Sequence, residues 1–170
     1  KRYANYLIKR PFKLSHDKAP KIPAIKHALL SSENFFDKKF DIIIDLDATS
    51  PLRQVKDITK ALKKFLKNKN SNLFSVCASN KNPYYNMIEK KGKKIKIVKD
   101  TKTNFYGRQQ APKIYDINAS IYIWKRTSLL NAKNIISHKT GIFIMPKSRS
   151  IDIDDKEDFD LVEYYMKKKL

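Results

Sequence analysis

The aliphatic run Ile42, Ile43, Ile44 leads straight into DLDATSPLR at positions 45 to 53, and a lysine-backed apolar stripe follows from Val55 to Lys67. No other part of the chain constrains the fold as much. A short aliphatic run reads as a buried strand, whereas Val55, Ile58, Ala61, Leu62, Phe65 and Leu66 recur at helical spacing with lysines opposite. A second apolar run, Leu73 to Ala78, comes after a short Lys and Asn loop. Strand, helix, strand is the pattern of a parallel βαβ unit in an α/β fold. Such sheets bind ligands in the crevice outside the carboxyl ends of their strands, so DLDATSPLR is where a site is expected.

The rest of the chain extends this plan. Spacing predicts a helix from about Ile22 to Leu30 after a Pro-punctuated loop at 10 to 23, then a buried strand over 40 to 46. Tyr84 to Ile88 and Lys94 to Val98 flank KKGKK as an antiparallel hairpin, an excursion from the main sheet. Asn118 to Trp124 is a strand, Arg126 to Ala132 a short helix and Gly141 to Met145 the last strand. Asp155 to Lys168 is expected to close the chain as a helix that buries Phe159, Val162, Tyr165 and Met166. Tyr3, Tyr6, Leu7 and Ile8 read as part of an element already under way, so preceding sequence is expected to be missing.

A chain of 170 residues suits one domain with a sizeable core. Its formal net charge of +20 raises polyanions as partners, but that argument needs clustering. The lysines are spread from Lys1 to Lys169, as on solvated faces, and no zinc-finger, RNP-type or KH-type signature accompanies them. Affinity for anionic nucleotides is the milder reading, with a basic nucleic-acid-binding module and a non-catalytic dimeric scaffold as the alternatives. Cys77 lies in the apolar run LFSVCAS, where a buried, inert thiol is expected. His16, His27 and His138 stand far apart with no second Cys, which argues against structural zinc. No apolar stretch approaches the roughly 20 residues of a spanning helix and no signal peptide opens the chain, so no membrane partner and a cytoplasmic location are the default.

Three constellations could carry chemistry. In DLDATSPLR, Thr49 and Ser50 offer hydroxyls, Asp47 a carboxylate and Arg53 a fork for anionic groups. The same residues also suit a helix start, with Ser50 as N-cap and Pro51 at the first helical position. Both readings can hold, since exposed N–H groups at a helix start favour an anion. In SIDIDDKEDFD, at 150 to 160, Asp152 and Asp154 alternate with Ile151 and Ile153, which on a strand would put both carboxylates on one face. Such a pair suits Mg²⁺, while Asp154 and Glu157 also have the spacing of a helix capping box. In YGRQQAP, at 106 to 112, Arg108 and Gln109 suit a carboxylate-bearing or hydroxylated ligand.

Together and in this order, these segments resemble the acylneuraminate cytidylyltransferase family, the CMP-sialic acid synthetases, over nearly the whole chain. RPFKL at 10 to 14, TSPLR at 49 to 53, RQQAP at 108 to 112, NASIYI at 118 to 123 and SIDID at 150 to 154 with Asp158 look like the family's motifs. The resemblance implies a Rossmann-like nucleotidyltransferase fold with a mainly parallel sheet. It implies transfer of CMP from CTP to a nine-carbon 2-keto sugar acid, with release of pyrophosphate. Asp152 and Asp154 would hold Mg²⁺ at the catalytic centre. Arg10, Thr49 and Ser50 would lie at the nucleotide, while Asp47, Arg53, Arg108, Gln109 and Asn118 would line the sugar side. Residues 80 to 115 would form an antiparallel dimerisation arm, which implies a homodimer.

Departures from the family pattern matter too. Many sialic acid enzymes have Gln and Pro before TSPLR, whereas this chain has Asp47 and Ala48, and a carboxylate cannot donate as a Gln amide does. The DLDATSPLR form with NPYYNMIE at 82 to 89 looks more like the branch that activates legionaminic acid. Ala119 stands where the family strand has Gly, which is expected to crowd the backbone mildly. With glycines only at 92, 107 and 141, the chain has no Gly-rich triphosphate loop. A partial cytidylyltransferase domain, lacking that N-terminal segment and inactive alone, is therefore expected.

Overall fold

In the computed structural model, which describes residues 4–16, 18–101, 105, 107 and 109–168, helix α1 (Lys21–Phe36) leads into strand β1 (Ile42–Leu46), helix α2 (Val55–Lys67) and strand β2 (Asn72–Ala78). The hairpin β3 (Ile88–Lys91) and β4 (Lys94–Ile97) comes next, followed by β5 (Tyr115–Lys125), α3 (Arg126–Asn131), β6 (Thr140–Ile144) and α4 (Lys156–Lys167). The described strands form a four-stranded sheet in the order β1-β5-β2-β6 and a separate β3-β4 ribbon.

The sheet departs from the expected mainly parallel arrangement. β1, β2 and β6 do share one direction, but β5 is inserted between β1 and β2 and runs antiparallel to both, leaving β2 and β6 as the parallel neighbours. Burial gives the reason. β5 carries five consecutive buried residues, Ser120 to Trp124, and a strand covered on both faces is most stable with partners on both edges. Their alternation feeds two cores. Tyr122 and Trp124 pack with Ile22, Ile25 and Leu29 of α1, while Ile121 and Ile123 pack with Ala61 and Phe65 of α2 and with Met145. Phe65 is 1% exposed, so its burial alone contributes about 2–3 kcal/mol.

α1 runs past the predicted end at Leu30 and stops at Asp37, a left-handed C-cap with φ 47°. Its buried Glu33 accepts two bonds from Arg126 of α3, Nε to Oε1 at 2.6 Å and Nη2 to Oε2 at 2.9 Å, plus the Phe40 N–H at 3.2 Å. Those Arg126 bonds hold the Glu33 carboxyl down at about 2. α2 has the predicted bounds but a different cap. Gln54 and Asp57 form its capping box, so Ser50 and Pro51 do not start it.

Further expectations are corrected. Residues 151–154 form no strand; they lie between a single 3₁₀ turn, Lys147–Arg149, and α4. α4 is capped by Asp155, which accepts the Asp158 N–H at 2.9 Å, one residue later than the expected Asp154. That helix fully buries Val162 only, with Phe159 and Met166 50% and 60% exposed. The hairpin is displaced and its loop tighter than predicted, since β3 begins at Ile88, where the expected strand ended, and takes in Lys90 and Lys91 of the expected loop. Tyr84 lies in a turn, and Gly92, with φ 60°, supplies the left-handed residue of the reversal. Tyr6, Leu7 and Ile8 join no helix or strand, and Tyr3 lies outside the described residues.

Opposite β2, strand β5 contains a bulge that positions the site. Phe74 faces Tyr122 and Val76 faces Ile117, so Ser75 alone spans residues 118 to 121. The Ser75 hydroxyl fills the gap by accepting the Ile121 N–H at 2.8 Å and donating to Asn118 Oδ1 at 2.6 Å. Ala119 makes the turn with φ 50°.

Candidate functional site

The segment after β1 folds back on itself around Arg53, whose Nη1 donates to the carbonyls of Asp47 at 2.6 Å, Ser50 at 2.8 Å and Ser120 at 3.3 Å. Burial pulls the Arg53 pKa below its ordinary value, against the opposing pull of Asp47 and Asp45. Arg53, expected to contact ligand, thus directs this nitrogen into the protein and braces the loop. Ser50 is fully buried. Its hydroxyl lies 3.2 Å from the Asn118 carbonyl and 3.4 Å from Asp152 Oδ1.

Three sequence-distant motifs meet here. The Ile153 N–H donates to the Thr49 carbonyl at 2.9 Å, which ties SIDID to TSPLR backbone to backbone. Asn118, aimed by the bulge, donates through Nδ2 to Ser150 Oγ at 2.8 Å. Asn118 is buried and its amide is engaged at both ends, so it organises the site as Ser50 does. Upstream of Ser150, Arg149 reaches the buried Asp57 of α2 with two 2.8 Å bonds and anchors the segment that carries Asp152 and Asp154. Asp152 is half-buried and Asp154 exposed, with the Asp154 N–H donating to Asp158 Oδ2 at 3.2 Å. Among the described residues no three His, Cys, Asp or Glu side chains converge into a metal cage.

A second cluster was not legible in the sequence. Lys21, at the start of α1, places Nζ 2.5 Å from Asp47 Oδ2, 3.1 Å from Asp45 Oδ2 and 4.0 Å from the centre of the Tyr122 ring. Burial would lower the Lys21 pKa, but its bonds and charge contacts with Asp47 and Asp45 outweigh that and raise it. Burial pushes the Tyr122 phenol up, opposed by Lys21 and reinforced by Asp47, Asp45 and Asp152. In the sequence Lys21 is one lysine among many, and only the α1–β1 juxtaposition distinguishes it.

A cavity of about 620 Å³ opens between α1, β1 and the segment before α1, with Arg10, Lys21, Asp45 and Asp47 in its lining. Its size is that of a small-molecule site. Thr49 and Gln109 are exposed in turns, and Arg108 lies outside the described residues. Cys77 is buried as expected; burial, with Asp116, raises its thiol pKa. No helix among the described residues is long and apolar enough to cross a membrane.

No family model matches the chain. Individual proteins do. It is 46% identical over 162 residues to post-translational flagellin modification protein B of Campylobacter coli, covering 95% of this chain and 68% of that protein. It is 43% identical over 161 residues to the CMP-N,N'-diacetyllegionaminic acid synthase of Campylobacter jejuni, with the same two coverages. To the N-acylneuraminate cytidylyltransferase of Escherichia coli O18:K1:H7 it is 30% identical over 167 residues, 98% of this chain and 38% of that one. With identities of 43–46% over 95% of its length to relatives of which it covers 68%, the chain belongs to the acylneuraminate cytidylyltransferase family of nucleotidyltransferases.

Proposed function

We propose that the chain serves the transfer of CMP from CTP to a nine-carbon 2-keto sugar acid of the legionaminic type, with release of pyrophosphate. The observation that carries this reading is the junction of TSPLR, Asn118 and SIDID through the Ile153–Thr49, Ser50–Asp152 and Asn118–Ser150 bonds. In such a transfer a sugar hydroxyl attacks the α-phosphate, and catalysis consists mainly of positioning and of neutralising phosphate charge. Asp152 and Asp154 would hold Mg²⁺. Two carboxylates suit an ion that would take further ligands from water and substrate phosphates. Bound there, the ion would offset the negative charge of the triphosphate. Arg10 and Thr49 serve the nucleotide, Ser50, Arg53 and Asn118 hold the loop and bulge in place, and Asp47, Arg108 and Gln109 are assigned to binding the sugar.

The legionaminic branch rests on Asp47 and on the relative named for diacetyllegionaminic acid. The name of the Campylobacter coli relative fits a sugar destined for flagellin. Residues 80 to 115 serve as the arm of a homodimer, a role that suits a detached ribbon with Ile88 and Ile95 more than 60% exposed. Thermal melting tests the core of this reading. CTP with Mg²⁺ should raise the melting temperature, and Asp152→Ala or Asp154→Ala should abolish the rise. An absence of protection in the parent chain, or salt-sensitive binding to random DNA that Asp152→Ala leaves intact, would overturn it.

A further inference from the structure

We infer that Arg149 and Asp57 are positioning residues for the candidate metal site, setting the register of SIDID so that Asp152 and Asp154 both stand at the ion. This rests on the cytidylyl transfer proposed above and gives a role to two residues that lie outside TSPLR and SIDID. Residues 151–154 need such a device. They belong to no strand, so no ladder of backbone bonds fixes where they lie. The Ile153 N–H ties them to the Thr49 carbonyl at 2.9 Å on one side of Asp152. Isoleucine and aspartate alternate here, and a slip of one residue would put Ile151 or Ile153 where a carboxylate now stands.

The ion pair supplies a tie on the other side. Arg149 closes the 3₁₀ turn before Ser150, and its fork meets both oxygens of Asp57, Nε to Oδ2 and Nη2 to Oδ1, each at 2.8 Å. Asp57 is itself fixed, because it lies in the first turn of α2, just beyond TSPLR, and accepts the Gln54 N–H at 2.9 Å. A two-bond fork admits one orientation of guanidinium against carboxylate, so it sets direction as well as distance. Between the two ties, Ser150 Oγ receives Asn118 Nδ2 at 2.8 Å and Asp152 Oδ1 lies 3.4 Å from the Ser50 hydroxyl. Stability does not account for the pair. The side chains of Arg149 and Asp57 are 18% and 3% exposed, and so buried a pair is often no more stabilising than apolar residues of similar volume; its best-attested use is to fix register. Groups that hold metal-binding side chains in place typically change metal affinity by about 10–100-fold.

The test is the Mg²⁺ dependence of CTP protection in three forms of the full chain. These are the parent, the double variant Asp57→Asn with Arg149→Met, which removes both charges together, and Arg149→Lys, which keeps the charge and loses the fork. Melting at saturating CTP across a Mg²⁺ series gives the concentration for half-maximal protection, and melting without ligand gives stability. The Mg²⁺ midpoint should rise by about tenfold or more in the double variant and by a smaller factor in Arg149→Lys. A pair that only stabilised the fold would lower the ligand-free melting temperature of the variants and leave the midpoint at the parent value. Where the double variant fails to fold, Arg149→Lys, whose buried carboxylate keeps a counter-charge, carries the test alone. An unchanged midpoint in the double variant, or in Arg149→Lys where that one decides, overturns the inference. A parent chain that CTP and Mg²⁺ do not protect defeats the cytidylyl-transfer reading and this inference with it, whereas a protected parent with unmoved variants defeats this inference alone.

Discussion

The Arg149–Asp57 pair gives a prediction whose sign can be worked out from the structure. The Asp57 side chain is 3% exposed and accepts two 2.8 Å bonds from Arg149 and the Gln54 N–H at 2.9 Å. Replacing Arg149 by Met leaves a buried carboxylate without its counter-charge, a change that typically costs about 3–5 kcal/mol. Against total stabilities of about 5–15 kcal/mol that is a large fraction. At about 3 °C per kcal/mol for a chain of this size, the melting temperature should fall by about 10 °C. Asp57→Asn alone should cost less, and the double variant should cost less than the sum, with a coupling of about 2 kcal/mol in urea denaturation. The pH arm is sharper still. Burial raises the Asp57 pKa, but Arg149 and the Gln54 N–H outweigh it and leave it lowered, so its contribution is present above the unfolded carboxylate value and lost as pH falls. Without Arg149, the Gln54 N–H and Lys56 alone oppose burial, so the lowering shrinks and the variant should lose less stability than the parent as pH falls. An Arg149→Met protein within about 1 kcal/mol of the parent, or one with the parent's pH slope, would refute the reasoning.

Two further substitutions test the elements that frame the site. Ala119 has φ 50°, a region costing L-residues about 1–2 kcal/mol, so Ala119→Gly should stabilise by about 0.5–1 kcal/mol after glycine's entropy, and Ala119→Val should destabilise, both measured in urea. Glu33 is held at about 2 by Arg126 against an ordinary 4.5, so its contribution is complete above pH 4.5 and disappears toward pH 2. Glu33→Gln should flatten acid unfolding across that window, as followed by circular dichroism.

Local chemistry was legible in the sequence, and long-range placement was not. α2 was recognisable to the residue because its apolar stripe and its lysines alternate at one period. The end of β1 was recognisable as a site because polar residues break an aliphatic run there. Nothing local says that Ile121 to Trp124 must lie between β1 and β2, since pairing partners are chosen by the burial of both faces of β5. Ser50 looked like a cap because a hydroxyl before Pro is a common helix start. Gln54 and Asp57 won that role because Arg53 holds the intervening turn away from the helix. SIDID alternated like a strand, yet no neighbouring strand pairs with it among the described residues. Ala in place of Gly at 119 suggests crowding by the added methyl, whereas the difficulty at Ala119 is a left-handed backbone.

The insertion of β5 also sets the order in which the molecule can be assembled. Leu46 must find Ile121 and Phe74 must find Tyr122, so the middle of the sheet is closed by contacts across long stretches of chain. Such closures are slow, and during synthesis β1, α2 and β2 emerge well before their common partner. The bulge that aims Asn118, and with it the meeting of TSPLR and SIDID, exists only after that closure. Ligand-binding competence should therefore appear as a late kinetic phase of refolding, after the helical signal has already recovered.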